Sequence, residues 1–463
     1  MTEEQIIHTV ADAVGVRVSQ VQTALQLLQA GNTIPFIARY RKEATGVLDE
    51  LQLRQIQEQY THEQALASRR ETVRQSIMEQ GQWTNELAKQ LEAAAQLQEI
   101  EDIYLPYKPK KRTKASLARD AGLEPLADIF WQQDPQGASP EKAASSYLTA
   151  DVPSVEDAIS GAANILAERI SELAPFRQFL RHALWQSAKL TCTLQVEETD
   201  APTMATYKDF SERICHLPSY RILAINRGEA QKQLKVTLTA DHDFYIKKLT
   251  QTIVHGRSPY YHILAAAAAD SYKRLIFPQM EREIRSDLTE KADKQAIAVF
   301  AKNLRSLLLQ PPFAGQTILG LDPGYRTGCK AAVIDPTGQV LAHGTYYLTN
   351  SERQRQQSAV SLGKLIKKYG VTLISIGNGT ASYETEQFVS SMLTAQHLSC
   401  PYIIANEAGA SVYSASDLAR EELPDLDVTI RGAVSIARRI QDPLAESVKI
   451  DPKSIGVGQY QHD

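Results

Sequence analysis

The segment from Ile318 to Asp335 constrains the fold of this chain more than any other stretch. It is predicted to form an apolar strand that ends in Asp322, a tight turn through Pro323 and Gly324, and a second strand. A further turn at 335–338 and an apolar-rich run extend this pair into an antiparallel meander of three strands. The pattern therefore places a carboxylate at the end of a strand, where it faces whatever binds there.

Helices and strands alternate after this meander. The apolar spacing predicts, in order, a third strand at 340–348, a helix at 354–369, a strand at 371–376, a helix at 383–398, a strand at 401–405 and a last helix from about Ile430. The order β-β-β-α-β-α-β-α is typical of a ribonuclease-H-like α/β domain, which we place at 313–450. In that superfold the aspartate of the first strand holds a divalent metal, so Asp322 is a candidate site residue.

The region before Pro311 and Pro312 is predicted to be a large, mainly α-helical N-terminal region. Its predicted parts are a helix-turn-helix-like region (1–75), a helical region (76–190), a small mixed α/β region (191–258) and long helices (259–312). The first two helices fit a helix-turn-helix element, but the same apolar spacing also fits any packed helical hairpin, which we favour. In the mixed region we expect strands at 190–196, 221–225 and 234–238.

The composition is that of an ordinary soluble intracellular protein. The 463 residues are 43% hydrophobic and 22% charged, and no run approaches the roughly 18 apolar residues of a membrane span. The start of the chain lacks the basic segment of a signal peptide, so we expect a cytoplasmic protein without membrane contact. Its cysteines form no C-x-x-C pair, which argues against a zinc site and a disulfide framework.

Any nucleic-acid binding has to come from local basic segments, because the formal net charge of the chain is -4. The densest such segment is a proline-stiffened loop that carries Lys108, Lys110, Lys111, Arg112 and Lys114. A second set lies on the last predicted helix and consists of Arg431, Arg438 and Arg439. A cation-rich loop is as often a solvated connection as a phosphate-binding surface, so both interpretations of the loop stay open.

Two-metal catalysis needs several carboxylates around the ions, and the sequence offers few. The acids nearest to Asp322 in this pattern are Glu384, Glu407 and Asp442, and each also fits an ordinary structural role near a helix start. The fourth strand ends in Asn378, and the last helix carries arginines, whose charge repels a divalent ion. We therefore expect no complete metal site, and we expect Asp322 to accept N–H groups of the 324–328 turn instead.

The same pattern argues against an actin-like ATPase, which we keep as the third hypothesis. Those enzymes duplicate the superfold and bind nucleotide between the two halves, whereas this chain contains a single strand-aspartate-glycine unit.

Several long strings of this sequence are too unusual for a fold-level explanation. They lie at 31–46 (GNTIPFIARYRKEATG), 107–114, 205–210, 244–248, 255–260, 321–324, 377–382, 406–414 (NEAGASVYS) and 451–463 (DPKSIGVGQYQHD). Together they resemble the Tex family of bacterial transcription accessory proteins over the whole chain. The resemblance implies a helix-turn-helix element and a YqgF-type ribonuclease-H-like domain. It also implies that 451–463 is a linker toward helix-hairpin-helix and RNA-binding S1 modules, before which the chain is truncated.

These observations favour a nucleic-acid-binding transcription accessory protein whose ribonuclease-H-like domain does not catalyse a reaction. We expect RNA rather than DNA as the partner, the transcription machinery as a further partner, no small-molecule substrate and no cofactor. The alternative is a Mg²⁺-dependent nuclease or resolvase that acts on structured nucleic acid through Asp322 with Glu384 or Glu407. In that case alone Mg²⁺ is a cofactor.

Overall fold

The computed structural model describes residues 2–109, 112–349 and 351–456. The chain divides into two compact units, of which the first comprises Met1–His216 and Leu234–Asp287. The second comprises Leu217–Gln233 and Leu288–Asp463, so the division falls upstream of Pro311 and Pro312. No helix in the part of the chain that the structure describes is long and apolar enough to cross a membrane.

The N-terminal two fifths of the chain are almost entirely helical. The helices are α1 (Glu3–Val14), α2 (Val18–Gln29), α3 (Ile34–Tyr40), α4 (Glu50–Glu79), α5 (Asn85–Ala93), α6 (Leu97–Tyr104), α7 (Lys114–Asp120), α8 (Glu124–Gln132), α9 (Pro140–Ala144), α10 (Val155–Ser171) and α11 (Ala174–Ser187). Short 3₁₀ helices lie at Leu105–Tyr107, Ser145–Tyr147, Pro202–Tyr207 and Ile214–His216.

The predicted hairpin of α1 and α2 is present, and its apolar residues form a core with α3 and α4. Thr2 caps α1 by accepting the N–H of Gln5, and Gly15 ends the helix with a φ of 73°. Ile6, Val10 and Val21 lie in the core, as their spacing of three and four predicts. Nucleic-acid recognition by this hairpin as a helix-turn-helix element stays a prediction.

A small antiparallel sheet follows, with the strand order β2-β1-β3. Its strands are β1 (Lys189–Leu194), β2 (Asp209–Arg213) and β3 (Leu234–Thr239). The predicted strand at 221–225 is wrong, since this segment lies inside the helix α12 (Ser219–Ala230). Ile222, Ile225 and Gly228 are buried at a spacing of three, which is typical of a helix. The apolar run at 221–225 is too short for its sequence pattern to distinguish a helix from a strand.

Three further helices lead to the second half of the chain: α13 (His242–Ile253), α14 (Tyr261–Asp270) and α15 (Phe277–Leu308). A π-helical segment, Ser271–Ile276, joins α14 to α15 immediately before Pro278. Proline lacks the N–H that continues an α-helix, and one wide turn accommodates that loss. The predicted single interruption of these long helices is therefore present, as a local change of helix type.

The strands and helices of the ribonuclease-H-like domain occur in the predicted order. They are β4 (Ile318–Asp322), β5 (Cys329–Ile334), β6 (Val340–Tyr346), α16 (Glu352–Tyr369), β7 (Leu373–Gly377), α17 (Ser382–Ala395), β8 (Tyr402–Ala405), α18 (Ala410–Ala415), α19 (Asp417–Glu422), α20 (Val428–Gln441), α21 (Pro443–Ser447) and α22 (Pro452–Ile455).

The five strands of this domain form one mixed sheet with the order β6-β5-β4-β7-β8. The first three strands pair antiparallel as a meander, and β7 and β8 add to β4 in parallel. The pairing places Asp322 opposite Lys330 and Gly377 opposite Ala405. The strand ends that carry Asp322 and Gly377 therefore lie at the same edge of the sheet.

Helix α20 packs directly against β4 and β5, and glycine makes the approach possible. A methyl group on Gly320 would overlap the carbonyl oxygen of Ala433 and lie 2.8 Å from the Cβ of Ala437. Ala433, Val434 and Ala437 are fully buried in this contact. Small residues on both sides thus bring the helix backbone close to the sheet and fix the position of Gly432 beside the end of β4.

We predict that Gly320→Ala destabilises the second unit by about 1–3 kcal/mol, because the added methyl group overpacks the α20 contact. Cys329 in β5 has a buried thiol. The measurement is the urea concentration at which this thiol becomes reactive. The matched control is Gly344→Ala in the edge strand β6, where the new methyl group meets only the side chain of Tyr346, at 3.2 Å. Equal urea profiles for the two variants would contradict the close approach of α20.

Candidate functional site

A cleft of about 320 Å³ opens at the edge of the sheet where β4 and β8 end. Its walls come from the end of β4, the loop after β8, α18 and the first half of α20. The lining residues are Asp322, Glu407, Ala410, Ser411, Ser414, Val428, Thr429, Gly432 and Ile436. The cleft thus brings two of the predicted site residues, Asp322 and Glu407, to one place.

Asp322 faces α20 rather than the turn that follows it. Its Oδ2 atom would lie 2.8 Å from a Cβ atom at Gly432. Burial, together with the charge of Glu407, raises the pKa of Asp322 to about 6, although the charge of Lys330 opposes the shift. No hydrogen bond of this carboxylate is found within the described residues, so the expected capping of the 324–328 turn is wrong.

The turn after β4 is held by a different group. The Lys330 ammonium donates hydrogen bonds to the carbonyl oxygens of Thr327 and Gly328. Asp322 takes no part in these contacts and instead lines the cleft.

Glu407 lies in the loop after β8, across the Gly377-Asn378-Gly379 segment. A methyl group on either glycine would overlap its carboxylate. The side-chain oxygen of Asn378 accepts the Glu407 N–H at 3.0 Å, and the Glu407 Oε2 atom is buried without a hydrogen-bond partner in the described residues. The predicted neutral residue at the end of the fourth strand therefore positions the Glu407 backbone, and the flanking glycines leave room for its side chain.

The arginines of the last predicted helix lie on α20, and most of their polar atoms face the protein. The Arg431 side chain is buried and donates to the carbonyl oxygen of Leu423, at 3.1 Å. Arg439 is buried and donates from one nitrogen to the carbonyl oxygens of Asn406 and Ala408, at 2.7 and 2.6 Å. Arg431 and Arg439 therefore stabilise α20 and the Glu407 loop and do not form an exposed basic surface.

Arg438 occupies a less buried position. Its guanidinium forms an ion pair of 3.1 Å with Glu422 and donates to the Gly338 carbonyl oxygen. The Arg439 guanidinium lies near Glu407 and Glu446, and burial lowers its pKa despite these charges. Positive charge thus lies next to the cleft, as the sequence predicts.

Glu384 and Asp442 belong to other contacts. Glu384 is in the first turn of α17 and accepts a hydrogen bond of 2.6 Å from the Tyr325 hydroxyl group, which lowers the pKa of this carboxylate. Asp442 caps α21 by accepting the N–H of Ala445, at 3.0 Å. Neither residue lines the cleft with Asp322.

The donor set of the cleft does not fit a two-metal centre. No group of three or more His, Cys, Asp or Glu side chains suited to a metal ion occurs among the described residues. Asp322 and Glu407 are two carboxylates, whereas a pair of ions needs several. Two carboxylates do match a single hydrated Mg²⁺, which uses one or two of them and keeps several waters.

Sequence reasoning missed the small and hydroxyl-bearing part of the cleft, which comprises Ser411, Ser414, Thr429 and Gly432. Gly432 carried a usable signal, because glycine in a helix interior costs about 1 kcal/mol relative to alanine and often marks close packing. The two serines lie in the string NEAGASVYS, which carries part of the family resemblance.

The basic loop lies in the first unit, at the start of α7. Lys108 is exposed, and its ammonium group lies 4.0 Å from the Glu101 carboxylate. Arg112 and Lys114 are exposed as well, whereas Lys110 and Lys111 lie outside the described residues. The described cations of this loop are therefore accessible to a polyanion.

We predict that Asp322→Asn changes the pH dependence of stability in the second unit. The folded-state pKa of Asp322, about 6, lies above its ordinary value of 3.8, so the wild type loses stability as the pH rises from about 4 to about 6. Asparagine removes that loss. Between pH 4 and pH 7, the free energy of unfolding of the variant should therefore rise by about 3 kcal/mol relative to that of the wild type. Hydrogen-exchange protection of β4 amides in metal-free buffer, compared at equal pH, measures the difference.

The control is Asp335→Asn, which should show the opposite trend. Hydrogen bonds from Thr337 and Gln339 lower the pKa of Asp335, so its contribution to stability is present above its unfolded pKa and is lost as the pH falls. Parallel pH profiles for wild type and Asp322→Asn would show that the cleft does not perturb Asp322.

Three family models match successive parts of the chain. They are the Tex-like protein N-terminal domain at 4–78, the Tex central region-like model at 135–300 and the Tex protein YqgF-like domain at 316–441. The last range contains the cleft residues from Asp322 to Ile436.

Related proteins extend the similarity over nearly the whole chain. Protein YdcI of Bacillus subtilis is 46% identical over 467 residues, which cover 100% of this chain and 65% of that protein. The transcriptional accessory protein Tex of Neisseria gonorrhoeae is 46% identical, and the alignment covers 96% of this chain and 59% of that protein. The human S1 RNA-binding domain-containing protein 1 is 38% identical, and the alignment covers 95% of this chain and 46% of that protein. The chain thus spans about half to two thirds of the length of these relatives, and it belongs to the Tex family.

Proposed function

We propose that this protein is a nucleic-acid-binding transcription accessory protein, with RNA as its preferred partner and a ribonuclease-H-like domain that binds rather than cuts. The names of two relatives, a transcriptional accessory protein and an S1 RNA-binding domain-containing protein, support the class of partner. The proposal also includes the transcription machinery as a further partner and the cytoplasm as the location. These roles are proposals for the chain because it spans only part of each relative.

The observation that carries the non-catalytic proposal is the composition of the cleft. Asp322 and Glu407 face the cleft, while the other acids considered, Glu384 and Asp442, are engaged elsewhere. The Arg439 guanidinium holds the Glu407 loop through two main-chain carbonyl oxygens, so its charge is fixed beside the carboxylate. A fixed cation and a missing third carboxylate both oppose the binding of two divalent ions.

The second candidate function is a nuclease or resolvase that uses a single Mg²⁺ ion. It is favoured by one observation, the pairing of Asp322 and Glu407 in a cleft whose burial raises the pKa of Asp322 to about 6. Perturbed carboxylates in clefts are frequent at catalytic sites, although structural pairs also show such shifts.

We predict that the wild-type protein does not cut branched DNA or single-stranded RNA in Mg²⁺ or Mn²⁺, and that Asp322→Asn retains its nucleic-acid binding. In an active metal site the same substitution removes one ligand charge and reduces cleavage by orders of magnitude. Gel assays of both substrates with each protein provide the measurement, and a melting curve for each protein controls for folding. Metal-dependent cleavage that disappears in Asp322→Asn at an unchanged melting temperature would establish the nuclease alternative.

We predict that replacing Lys110, Lys111 and Arg112 by serine flattens the salt dependence of nucleic-acid binding. Each lost phosphate contact lowers the slope of log affinity against log salt by about 0.7 for single strands, because fewer counterions are released. The measurement is fluorescence anisotropy of a labelled single-stranded RNA at several salt concentrations.

The matched control removes three exposed lysines of α16, Lys364, Lys367 and Lys368, and so changes the net charge equally. A slope that stays at the wild-type value in the loop variant would identify the loop as a solvated connection. A similar fall in both variants would indicate a general charge effect.

A further inference from the structure

The segment from Phe36 to Lys42, at the end of α3, combines exposed aromatic rings with a cluster of cations. Phe36 and Tyr40 are 37% and 67% exposed, although both are large apolar side chains. Arg39, Arg41 and Lys42 are exposed beside them. The segment belongs to the unusual string at 31–46, and neither the cleft nor the basic loop accounts for it.

The two rings and one guanidinium form a preassembled group. The ring centroids of Phe36 and Tyr40 lie 5.3 Å apart with an interplanar angle of 45°. The guanidinium carbon of Arg41 lies 5.7 Å from the Phe36 centroid, within the range of a cation–π contact. Residues 36, 39 and 40 share one face of the helix, because positions three and four apart are neighbours on its surface.

The backbone below this group is well anchored. Ile37, within the same helix α3, is fully buried in the core of α1–α4. The loop after α3 is held by Gln20, whose side-chain amide donates to the carbonyl oxygens of Thr45 and Gly46, at 3.2 and 2.9 Å. The Thr45 side chain is buried and donates to main-chain oxygens of the same loop. An anchored helix end presents its rings at little further cost in conformational entropy when a ligand binds.

The cations of this segment are not neutralised within the part of the chain that the structure describes. None of Arg39, Arg41 and Lys42 forms an ion pair there, and Glu43 is the neighbouring acid in sequence. Single exposed aromatic residues are common on protein surfaces and need no explanation. Here, in contrast, two adjacent rings remain accessible to water, Tyr40 more than Phe36, next to three positive charges that form no ion pair with the described residues. A ligand with flat apolar faces and negative charge would complement both features.

We propose that Phe36 and Tyr40 form a stacking platform for unpaired bases of a single-stranded nucleic acid, with Arg39, Arg41 and Lys42 along its phosphates. Every base has a π face, so stacking of this kind tolerates any sequence, and the cations supply the salt-dependent part of the affinity. A duplex hides its base faces and offers only its phosphates to this surface. The inference rests on the proposed nucleic-acid binding and adds a site and a strand preference to it.

The test compares the double variant Phe36→Leu/Tyr40→Leu with the wild-type chain. Leucine keeps an apolar side chain at both positions and removes the flat ring. The probes are a labelled oligouridine RNA of about 12 nucleotides, within the footprint of common single-strand binders, and an RNA duplex of equal length. The matched control is Phe313→Leu/Tyr383→Leu, which removes two rings that are 45% and 70% exposed elsewhere in the chain.

We expect the α3 variant to lose at least about fivefold in affinity for oligouridine, the equivalent of one stacked base. Its salt slope should equal that of the wild type, and its affinity for the duplex should change less than about twofold, because no phosphate contact is removed. The control should bind like the wild type. The triple variant Arg39→Gln/Arg41→Gln/Lys42→Gln should instead flatten the salt slope for both probes.

A second readout reports stacking directly. Tyr40→Trp should retain wild-type affinity for oligouridine, and its added tryptophan fluorescence should be quenched by the RNA and not by the duplex. A wild-type affinity for oligouridine in the Phe36→Leu/Tyr40→Leu variant would overturn the platform and leave the proposed function standing. A wild-type chain that binds neither probe would overturn both.

A further outcome assigns the surface to another partner. If the Phe36→Leu/Tyr40→Leu variant loses binding to poly-L-glutamate but keeps its affinity for oligouridine, α3 recognises an acidic polypeptide and the proposal fails.

Discussion

The close approach of α20 to β4 is the constraint on which the ribonuclease-H-like domain depends. Gly320 in the strand and Ala433 and Ala437 in the helix leave no space between the two backbones. This contact fixes Gly432 beside the Asp322 carboxylate and brings Arg439 within reach of the Glu407 loop. The cleft therefore results from backbone packing, and its charged residues are positioned by it.

The balance of charge within the cleft follows from that packing. Burial against α20 makes the ionised form of Asp322 costly, and the nearby Glu407 increases the cost, so the pKa of Asp322 rises to about 6. Arg439 gives up part of its hydration, and burial lowers its pKa, although it keeps two hydrogen bonds to main-chain oxygens. The guanidinium thereby holds the Glu407 loop through the carbonyl oxygens of Asn406 and Ala408.

Much of this domain was predictable from local sequence patterns. Period-two runs, glycine turns and proline signals identified every strand of the five-stranded sheet to within about two residues, since each signal is local. The strand predicted at 221–225 failed because its run of four apolar residues fits both the helical and the strand period, and only contacts such as the hydrogen bond of Asn226 to Thr289 distinguish them. The roles of Arg431 and Arg439 also needed coordinates, because a sequence does not show which side of a helix is buried.

The glycine at position 432 also limits how this cleft could change in evolution. A third carboxylate on α20 at position 432 would lie directly beside the Asp322 carboxylate. Any side chain there starts with a Cβ atom 2.8 Å from the Asp322 oxygen, closer than such atoms come in folded proteins. A single substitution at this position therefore does not yield a three-carboxylate site, because the helix would first have to move away from the sheet. At position 432, the close packing that stabilises the fold thus leaves no room for a further carboxylate.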